Sequence, residues 1–239
     1  MTTVFLVRHG RSSANTAGVL AGWSPGVLLD DVGVSQAQRA GVRLAGIRLA
    51  VIVSSPLERT ISTAEAILDE QTGRADIALD SRVGECRYGD WTGRKLTVLS
   101  RRPLWKTIQQ RPSQVTFPGE EGESLLHMQA RGVGAIADWN GRLGDKARYA
   151  VVSHGDVIKS ILADALGMPF DSFQRISVDP GSISVVDYGP QRATVLMMNS
   201  TDADLSVFGA RSAPTSQTVG GGAGPTSPPS TRTSRGGRQ

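Results

Sequence analysis

The sequence predicts an α/β fold in which a mostly parallel central sheet is covered by helices on both faces, giving a three-layer α/β/α sandwich. Two observations predict this class. Short apolar runs rich in valine and isoleucine occur at intervals, and such continuous runs are typical of strands buried on both faces of a sheet. Amphipathic helical patterns separate these runs, and an alternation of strands with helices is characteristic of α/β layers.

The predicted strands follow from continuous β-branched or apolar sequence. Three runs lack the polar alternation of a half-exposed strand and are therefore predicted at the buried centre of the sheet. Two further runs are joined by the turn-forming sequence YGPQRA, which predicts a terminal hairpin. The central strands are Thr3–Val7, Ala50–Val53 and Tyr149–Ser153, and the hairpin strands are Ser182–Asp187 and Thr194–Met198.

The predicted helices follow from apolar residues at helical spacing and from residues that favour helix ends. Ser55 as N-cap and Pro56 as first helical residue predict the start of the second helix. Gly167 and Pro169 predict the end of the last one. The four predicted helices are Ser35–Leu44, Pro56–Glu70, Ser124–Leu143 and Val157–Leu166. The inward apolar stripe predicted for the second helix comprises Leu57, Ile61, Ala64 and Leu68.

Charge and composition divide the chain into a domain at residues 1–208 and a tail at residues 209–239. The formal net charge of the 239 residues is +4, but no acidic residue follows Asp204. The tail contains four of the 26 basic residues, so the domain has 22 basic and 22 acidic residues, which disfavours a nucleic-acid partner. Serine, glycine and proline are abundant in the tail, which is predicted to be disordered because it buries too little apolar surface.

Apolar runs and cysteine content favour a cytoplasmic protein. No apolar run reaches about 18 residues, and the run from Val4 to Val7 is too short for a signal-peptide core, so neither a membrane span nor export is expected. Cys86 is the only cysteine, which excludes an intrachain disulfide and a cysteine-based zinc site. Cys86 is predicted to be a small buried side chain.

Three strand ends carry the residues predicted to form the functional site. In open α/β sheets, ligands bind beyond the carboxyl ends of the strands. The first central strand ends at Arg8 and His9, and the third ends at His154. The second leads to Arg59 in the first turn of a helix, where a cation is unfavourable unless an anion binds nearby. Two arginines that converge on one sheet edge predict a phosphate site.

A metal site is the alternative interpretation of the histidines. Zinc or iron requires three or more ligands at defined spacings, and neither His9 nor His154 belongs to an HxxxH or HxH pair. His127, inside a predicted helix, is interpreted as structural. Neither a metal nor another cofactor is predicted.

Four motifs occur in order along the chain: LVRHG with Asn15 behind it, SSPLERTISTA, ECRYGDWTG and VVSHGDVI. They resemble the successive signatures of the histidine phosphatase superfamily, in the branch that contains cofactor-dependent phosphoglycerate mutase and its phosphatase relatives. The resemblance extends from residue 3 to about residue 200 and implies a phosphoglycerate mutase-like fold. The roles that it implies are His9 as nucleophile, Glu85 as proton donor, Arg8, Arg59 and His154 as catalytic residues of the phosphate pocket, and Asn15 and Ser12 as residues that line the phosphate site.

The resemblance implies a metal-independent phosphatase that acts on a small phosphorylated metabolite through a phosphohistidine, with no nucleic-acid or membrane partner. Glu85 and His154 are 69 positions apart (154 minus 85), which resembles the compact phosphatases rather than the mutases with their long insertion. A phosphomutase and a non-catalytic phosphate-binding module are the two alternatives. The terminal hairpin is predicted as a homodimer surface.

Further residues near the predicted site are interpreted one by one, and two of them, Arg11 and Glu85, have alternative interpretations. Arg11 either favours a more anionic substrate or faces solvent. The pKa of Glu85 stays open, because burial raises the pKa of a carboxyl and neighbouring arginines lower it. Residues 91–118 are expected to cover the pocket. Glu123 and Ser124 are interpreted as helix-capping residues.

Overall fold

Six strands form one sheet whose centre is parallel. The structure, a computed structural model, describes residues 1–73 and 75–209. The strands are β1 (Thr2–Arg8), β2 (Ile52–Ser54), β3 (Ile77–Leu79), β4 (Arg148–Ser153), β5 (Ile183–Tyr188) and β6 (Ala193–Ser200). Their order is β3-β2-β4-β1-β5-β6, with parallel pairing from β3 to β1 and antiparallel pairing from β1 through β5 to β6. The predicted α/β class with a mostly parallel sheet is confirmed.

Helices cover both faces of this sheet. The helices of the described residues are α1 (Ser13–Thr16), α2 (Asp31–Leu44), α3 (Glu58–Asp69), α4 (Leu96–Leu99), α5 (Pro103–Gln110), α6 (Leu125–Leu143) and α7 (Gly155–Ala165). Phe5 and Val7 of β1 belong to the core shared with α2 and α3, whereas Val4 and Leu6 belong to the core shared with α6 and α7. Successive β1 residues are therefore buried on opposite faces, which explains why its sequence is continuously apolar.

The carboxyl ends of the three central parallel strands lie side by side. In the pairing of β1 with β4, Arg8 is opposite Ser153, and in the pairing of β2 with β4, Ser54 is opposite Val152. The chain leaves the sheet immediately after these residues. The loops that follow β1, β2 and β4 consequently meet at one edge of the sheet, as the sequence predicts.

Helix α3 begins at Glu58, so the predicted start at Pro56 with Ser55 as N-cap is wrong. Leu57 occupies the N-cap position and makes no side-chain capping hydrogen bond. The Ser55 hydroxyl is instead 2.8 Å from Nε2 of His154. Because this hydroxyl is used by a neighbouring strand end, it is not available to cap the helix.

The buried face of α3 also differs from the predicted apolar stripe. Ile61 and Leu68 are only half-buried. The Thr63 hydroxyl, which is buried, donates to the Arg59 carbonyl at 2.8 Å, so a polar residue is satisfied inside the interface. The fully buried residues of the helix are Arg59, Thr60, Thr63, Ala64 and Ile67.

Other boundaries differ where the pattern is short or begins with polar residues. Helix α2 begins at Asp31 rather than Ser35, because the Asp30 carboxylate caps it by accepting from the Gly33 amide at 2.9 Å. The elements β3, α1, α4 and α5 were not predicted, since segments of three to eight residues carry little periodic pattern.

Three predictions concern the ends and edges of the chain. The predicted tail at residues 209–239 lies, apart from Gly209, outside the described residues. Among the helices of residues 1–73 and 75–209, none has the length and apolar character needed to cross a bilayer. Strand β6 forms an edge of the sheet, and its use as a homodimer surface stays a prediction.

Candidate active site

Two glycines hold the loop after β1 against the start of α2. A Cβ atom at Gly10 would lie 2.2 Å from the carbonyl oxygen of Gly33, and one at Gly33 would lie 1.9 Å from that of Arg11. The Gly10 amide also donates to the Thr63 hydroxyl at 3.2 Å. The glycine that follows His9 is therefore required by the close approach of two backbones.

We expect Gly10→Ala to destabilise the fold, because the new methyl group would collide with backbone that cannot move away independently. Overpacking of this kind costs about 1 to 3 kcal/mol of unfolding free energy. Gly134→Ala in α6 is the matched control: apart from adjacent residues and the backbone of its own helix, its Cβ would meet no described atom within 4 Å, and it should stabilise the helix by about 0.5 to 1 kcal/mol. Urea denaturation measures both. Equal stability of the two variants would contradict the tight Gly10 contact.

His9 and His154 lie next to each other beyond the sheet edge. Their ring centroids are 5.2 Å apart, and the two side chains are almost completely buried. His9 Nδ1 is 2.7 Å from the Gly10 carbonyl oxygen, so a neutral ring donates from Nδ1 and keeps the lone pair of Nε2 free. His154 Nε2 is paired with Ser55, as described above.

Both imidazoles are held in the neutral form. Burial, followed by the positive charges of Arg59 and Arg8, lowers the pKa of His9 to about 3. Burial, Arg59 and the neighbouring His9 lower the pKa of His154 well below its ordinary value. At neutral pH an unprotonated imidazole nitrogen is therefore available as a nucleophile.

Two arginines bring partly unsatisfied guanidinium groups to the same place. Arg59 is only 2% exposed, and its Nη2 donates to the Gly22 carbonyl at 2.9 Å and lies 3.4 Å from His154 Nδ1. Arg8 donates through Nη1 to the Val178 carbonyl at 2.6 Å. Arg59 Nη1 and Arg8 Nε are both buried without a hydrogen-bond partner among the described residues. Because each buried unsatisfied donor costs about 1 to 3 kcal/mol, the pair favours binding of an anion.

Glu85 supplies a carboxyl group whose proton is retained more strongly than usual. Burial raises the pKa of Glu85; Arg59 opposes this rise and the negative charge of Asp156 adds to it. One carboxylate oxygen accepts from the Cys86 amide at 2.9 Å, and the other is 3.8 Å from His154 Nδ1. The effect of burial on the pKa of Glu85 therefore outweighs the opposite effect of the arginines, which the sequence alone leaves open.

A cavity of about 210 Å³ brings most of the predicted site residues together. His154 does not line it but lies behind it, in contact with Arg59 and Glu85. The Ser12 hydroxyl donates to Asn15 Oδ1 at 2.9 Å while it caps α1, so one capping box holds both residues. The predicted residues that line the cavity are Arg8, His9, Ser12, Asn15, Arg59 and Glu85.

Three polar residues of the cavity were missed by sequence analysis. The Tyr88 hydroxyl stays protonated, since burial and the charge of Glu85 raise the pKa of Tyr88 well above its ordinary value. Lys159 Nζ is 3.2 Å from an Asp156 carboxylate oxygen, and both side chains point from the first turns of α7 into the cavity. The sequence did contain a signal for these two cavity residues: Asp156 directly follows the SHG sequence, and Lys159 lies one helical turn later.

Arg11 and most of the segment 91–118 lie away from the cavity. Arg11 Nε is 2.7 Å from an Asp30 carboxylate oxygen, so this arginine is engaged in an ion pair rather than with the site. Of residues 91–118, Leu96 alone lines the cavity in the described structure. The prediction that this segment covers the pocket is therefore wrong for the rest of it. The aromatic residues of the segment instead pack on one another: Trp91, Trp105 and Phe117.

The remaining candidates have structural positions. Cys86 is fully buried, as predicted. His127 is exposed on α6, outside the cavity, and Ser124 caps that helix by accepting from the His127 amide at 3.1 Å. Glu123, interpreted from the sequence as a capping residue, is instead buried in an ion pair with Arg131.

The groups of the cavity suit phosphate rather than a metal ion. Within the part of the chain that the structure describes, no group of three or more His, Cys, Asp or Glu side chains is arranged to hold a metal. Fixed positive charge, a neutral imidazole and a carboxyl of raised pKa can instead bind a phosphoryl group, act as a nucleophile and donate a proton.

Comparison with known families agrees with this geometry. A family model described as the histidine phosphatase superfamily (branch 1) matches residues 4–201. The chain belongs to this superfamily. Among solved structures, the chain is similar to YhfR from Bacillus stearothermophilus, with a TM-score of 0.77 and 25% identity over 84% of this chain and 98% of that chain.

Curated relatives of this chain have two kinds of name. A Proteus mirabilis protein named "Probable phosphoglycerate mutase GpmB" is 33% identical over 190 residues, which cover 79% of this chain and 86% of the relative. The "Adenosylcobalamin/alpha-ribazole phosphatase" of Escherichia coli is 29% identical over 202 residues, which cover 82% of this chain and 95% of the relative. The curated relatives therefore include proteins named as phosphatases and proteins named as mutases.

Proposed function

We propose that this member of the histidine phosphatase superfamily hydrolyses phosphomonoesters of small metabolites, without a metal ion, through a phosphohistidine formed at His9. The observation that carries the proposal is that Arg8 and Arg59 each bring a buried N–H group, without a partner among the described residues, to the side of a neutral imidazole. Phosphoryl transfer depends chiefly on an aligned nucleophile and on positive charge already in place. The similarity to a named phosphatase supports the same reaction.

In the first step, Nε2 of His9 attacks the phosphorus atom of the bound ester. The N–P bond forms while the P–O bond to the leaving group breaks, and the electron pair of that bond stays with the leaving oxygen. Glu85, in its protonated form, gives its proton to this oxygen, so the product leaves as an alcohol. Arg8 and Arg59 stabilise the charge on the transferred phosphoryl oxygens. The other proposed members of the phosphate site are Ser12, Asn15 and His154.

In the second step, water attacks the phosphohistidine. The Glu85 carboxylate takes a proton from this water, and the P–N bond breaks with its electron pair returning to His9. The Gly10 carbonyl, which accepts from Nδ1–H, keeps the ring oriented through both steps. Inorganic phosphate is released, and Glu85 and His9 regain their initial protonation states.

We expect the pH dependence of kcat/KM to report the protonation of Glu85. The acid form must be present, so activity is retained below the raised pKa of Glu85 and lost as pH rises through it. Glu85→Gln should lower kcat/KM by about 100-fold with an alkyl phosphate and remove this alkaline limb. Glu121→Gln, at an exposed position, is the control and should keep it. A rate that rises steadily towards about pH 9 would contradict the acid role.

The size and walls of the cavity favour a compact substrate. Its volume of about 210 Å³ is below the 300 to 1,000 Å³ of typical drug-sized pockets. Beyond the phosphate site, Asp156 and Lys159 offer an acceptor and a cation to polar groups of the ester. The apolar wall consists of Val19, Leu20, Ala21 and Leu96.

A phosphate-release assay with and without EDTA tests the proposed function. The substrates are p-nitrophenyl phosphate and a panel of sugar phosphates, phosphoglycerates, phosphoamino acids and nucleotides. We expect release that is unaffected by EDTA. Loss of activity with EDTA would contradict a metal-independent reaction, and absence of release from every ester would favour a non-catalytic phosphate-binding module.

A phosphomutase is the second candidate, favoured by the 33% identity to a relative with a mutase name. In a mutase, the phosphoryl group returns from His9 to a retained intermediate instead of passing to water. Conversion of 3-phosphoglycerate that is stimulated by bisphosphoglycerate, with little net phosphate release, would identify a mutase. Net phosphate release without that stimulation is the result that we expect.

A further inference from the structure

Glu85 lies in an irregular segment, where no hydrogen bonds of a regular helix or strand fix the position of the backbone. It lies between two short 3₁₀ turns, Ser81–Val83 and Gly89–Trp91, and belongs to neither a helix nor a strand. A general acid must lie within hydrogen-bond reach of the oxygen that it protonates. Contacts from outside the segment must therefore hold the Glu85 backbone in place.

Arg131 of α6 holds the backbone up to and including Glu85. Its Nη1 donates to the carbonyl oxygens of Arg82 and Gly84, both at 2.7 Å, and its Nη2 donates to the Glu85 carbonyl at 2.9 Å. Three carbonyl groups within four residues are thus gathered by one planar guanidinium group. A side chain of this geometry defines the path of the segment more closely than apolar packing does.

Glu123 holds Arg131 and the backbone beyond Glu85. Its two carboxylate oxygens accept from Arg131 Nη2 at 2.6 Å and Nε at 3.1 Å, and one of them also accepts from the Arg87 amide at 2.9 Å. Arg131 therefore uses all five of its N–H groups, three on carbonyls and two on Glu123. The Arg131 side chain is 14% exposed and the Glu123 side chain 6%, so water competes little for these hydrogen bonds.

The pair acts at a distance from the phosphate site. Neither Arg131 nor Glu123 lines the cavity, and neither is hydrogen-bonded to the His9, Arg8 or Arg59 side chain. Burial of an ion pair is often no more stabilising than apolar residues of the same size. Its geometry, centred on the Glu85 backbone, points to a role in placing the Glu85 carboxyl.

We propose, on the basis of the acid role proposed for Glu85 above, that Arg131 and Glu123 are positioning residues that aim the Glu85 carboxyl at the leaving oxygen of the substrate. Loss of the pair should impair proton donation selectively, since His9, Arg8 and Arg59 are held by other elements. An alkyl leaving group needs the proton, whereas p-nitrophenolate leaves largely without it. The ratio of kcat/KM for an alkyl phosphate to that for p-nitrophenyl phosphate isolates the effect, because kcat/KM includes phosphoryl transfer to His9.

The test compares this ratio in variants of the full chain. Glu85→Gln sets the reference, with an expected fall of about 100-fold. Arg131→Met should lower the ratio by about 10-fold or more, because displacement of a catalytic group by about 1 Å can cost that much or more. Asp138→Asn is the matched control: Asp138 also lies on α6 and binds the same segment through the Arg82 side chain, yet it does not touch Glu85. Its ratio should not change.

Each result supports or overturns the inference. Equal losses with both substrates in Arg131→Met would show a merely structural role. If Arg131→Met does not fold, Glu123→Gln decides the matter, since it keeps the side-chain shape and should lower the ratio by several-fold. An unchanged ratio in Glu85→Gln would refute its acid role and this inference with it. A changed ratio in Glu85→Gln but not in Arg131→Met or Glu123→Gln would refute the positioning role alone.

Discussion

His9→Ala is expected to lower kcat/KM by at least about 1,000-fold for every phosphomonoester that the wild-type chain hydrolyses. The substitution removes Nε2, the only atom that forms a bond to phosphorus in the proposed first step. It leaves both arginines in place, so phosphate should still bind. Steady-state kinetics with an aryl and an alkyl phosphate, together with phosphate inhibition, measure the two effects.

His127→Ala is the matched control for His9→Ala. His127 is 69% exposed on α6 and lies outside the cavity. Its Nδ1 is 3.8 Å from Glu123, but Arg131 and the Arg87 amide hold that carboxylate, so removal of the imidazole should leave kcat/KM close to the wild-type value. Activity of His9→Ala within about 10-fold of that control would exclude a covalent role for His9.

Arg59→Met is expected to lower kcat/KM by about 100- to 1,000-fold while the fold is retained. Loss of the Arg59 charge removes stabilisation of the transition state, which lowers the rate. Because Arg59 is buried and has an unpartnered N–H group, methionine also removes the free-energy cost of burying that charge, which favours the folded state. The lost hydrogen bond to the Gly22 carbonyl offsets part of that gain. We therefore expect the free energy of unfolding to stay within about 1 kcal/mol of wild type, or to rise, which kinetics and urea denaturation test together.

The same variant should move the acidic limb of the pH profile. Arg59 is, after burial, the largest cause of the lowered pKa of His9, so its loss raises that pKa from about 3. Because a protonated imidazole cannot attack, the acidic limb should shift to higher pH. Arg11→Met is the control, since Arg11 pairs with Asp30 and should leave the profile unchanged. An unshifted limb in Arg59→Met would contradict the electrostatic coupling of Arg59 to His9.

The sequence predicts that the principal site residues lie together, because in α/β folds ligands bind beyond the carboxyl ends of neighbouring parallel strands. His9, Arg59 and His154 follow three different strands, and parallel pairing of β1, β4 and β2 brings the ends of those strands together. Continuous apolar sequence identified all three strands to within two residues. Periodicity and strand ends therefore carry most of the information about where the cavity lies.

The rest could not be predicted, because it depends on partners that are distant in sequence. Ser55 resembles an N-cap, but its hydroxyl is paired with His154, 99 positions later. Glu123 precedes a helix and resembles a capping residue, but it binds Arg131, which holds the Glu85 carbonyl 46 positions earlier. Local sequence describes such residues by their neighbours, whereas tertiary contacts determine their roles.

Detection of phosphate on His9 during turnover tests the central claim most directly. The wild-type chain is mixed with an excess of a good substrate, quenched in alkali within the first turnovers, and digested for mass spectrometry. We expect phosphate on the peptide that contains His9, stable in alkali, lost in acid, and absent from His9→Ala. Sustained hydrolysis with no phosphate on His9, or with phosphate on another side chain, would contradict a phosphohistidine mechanism.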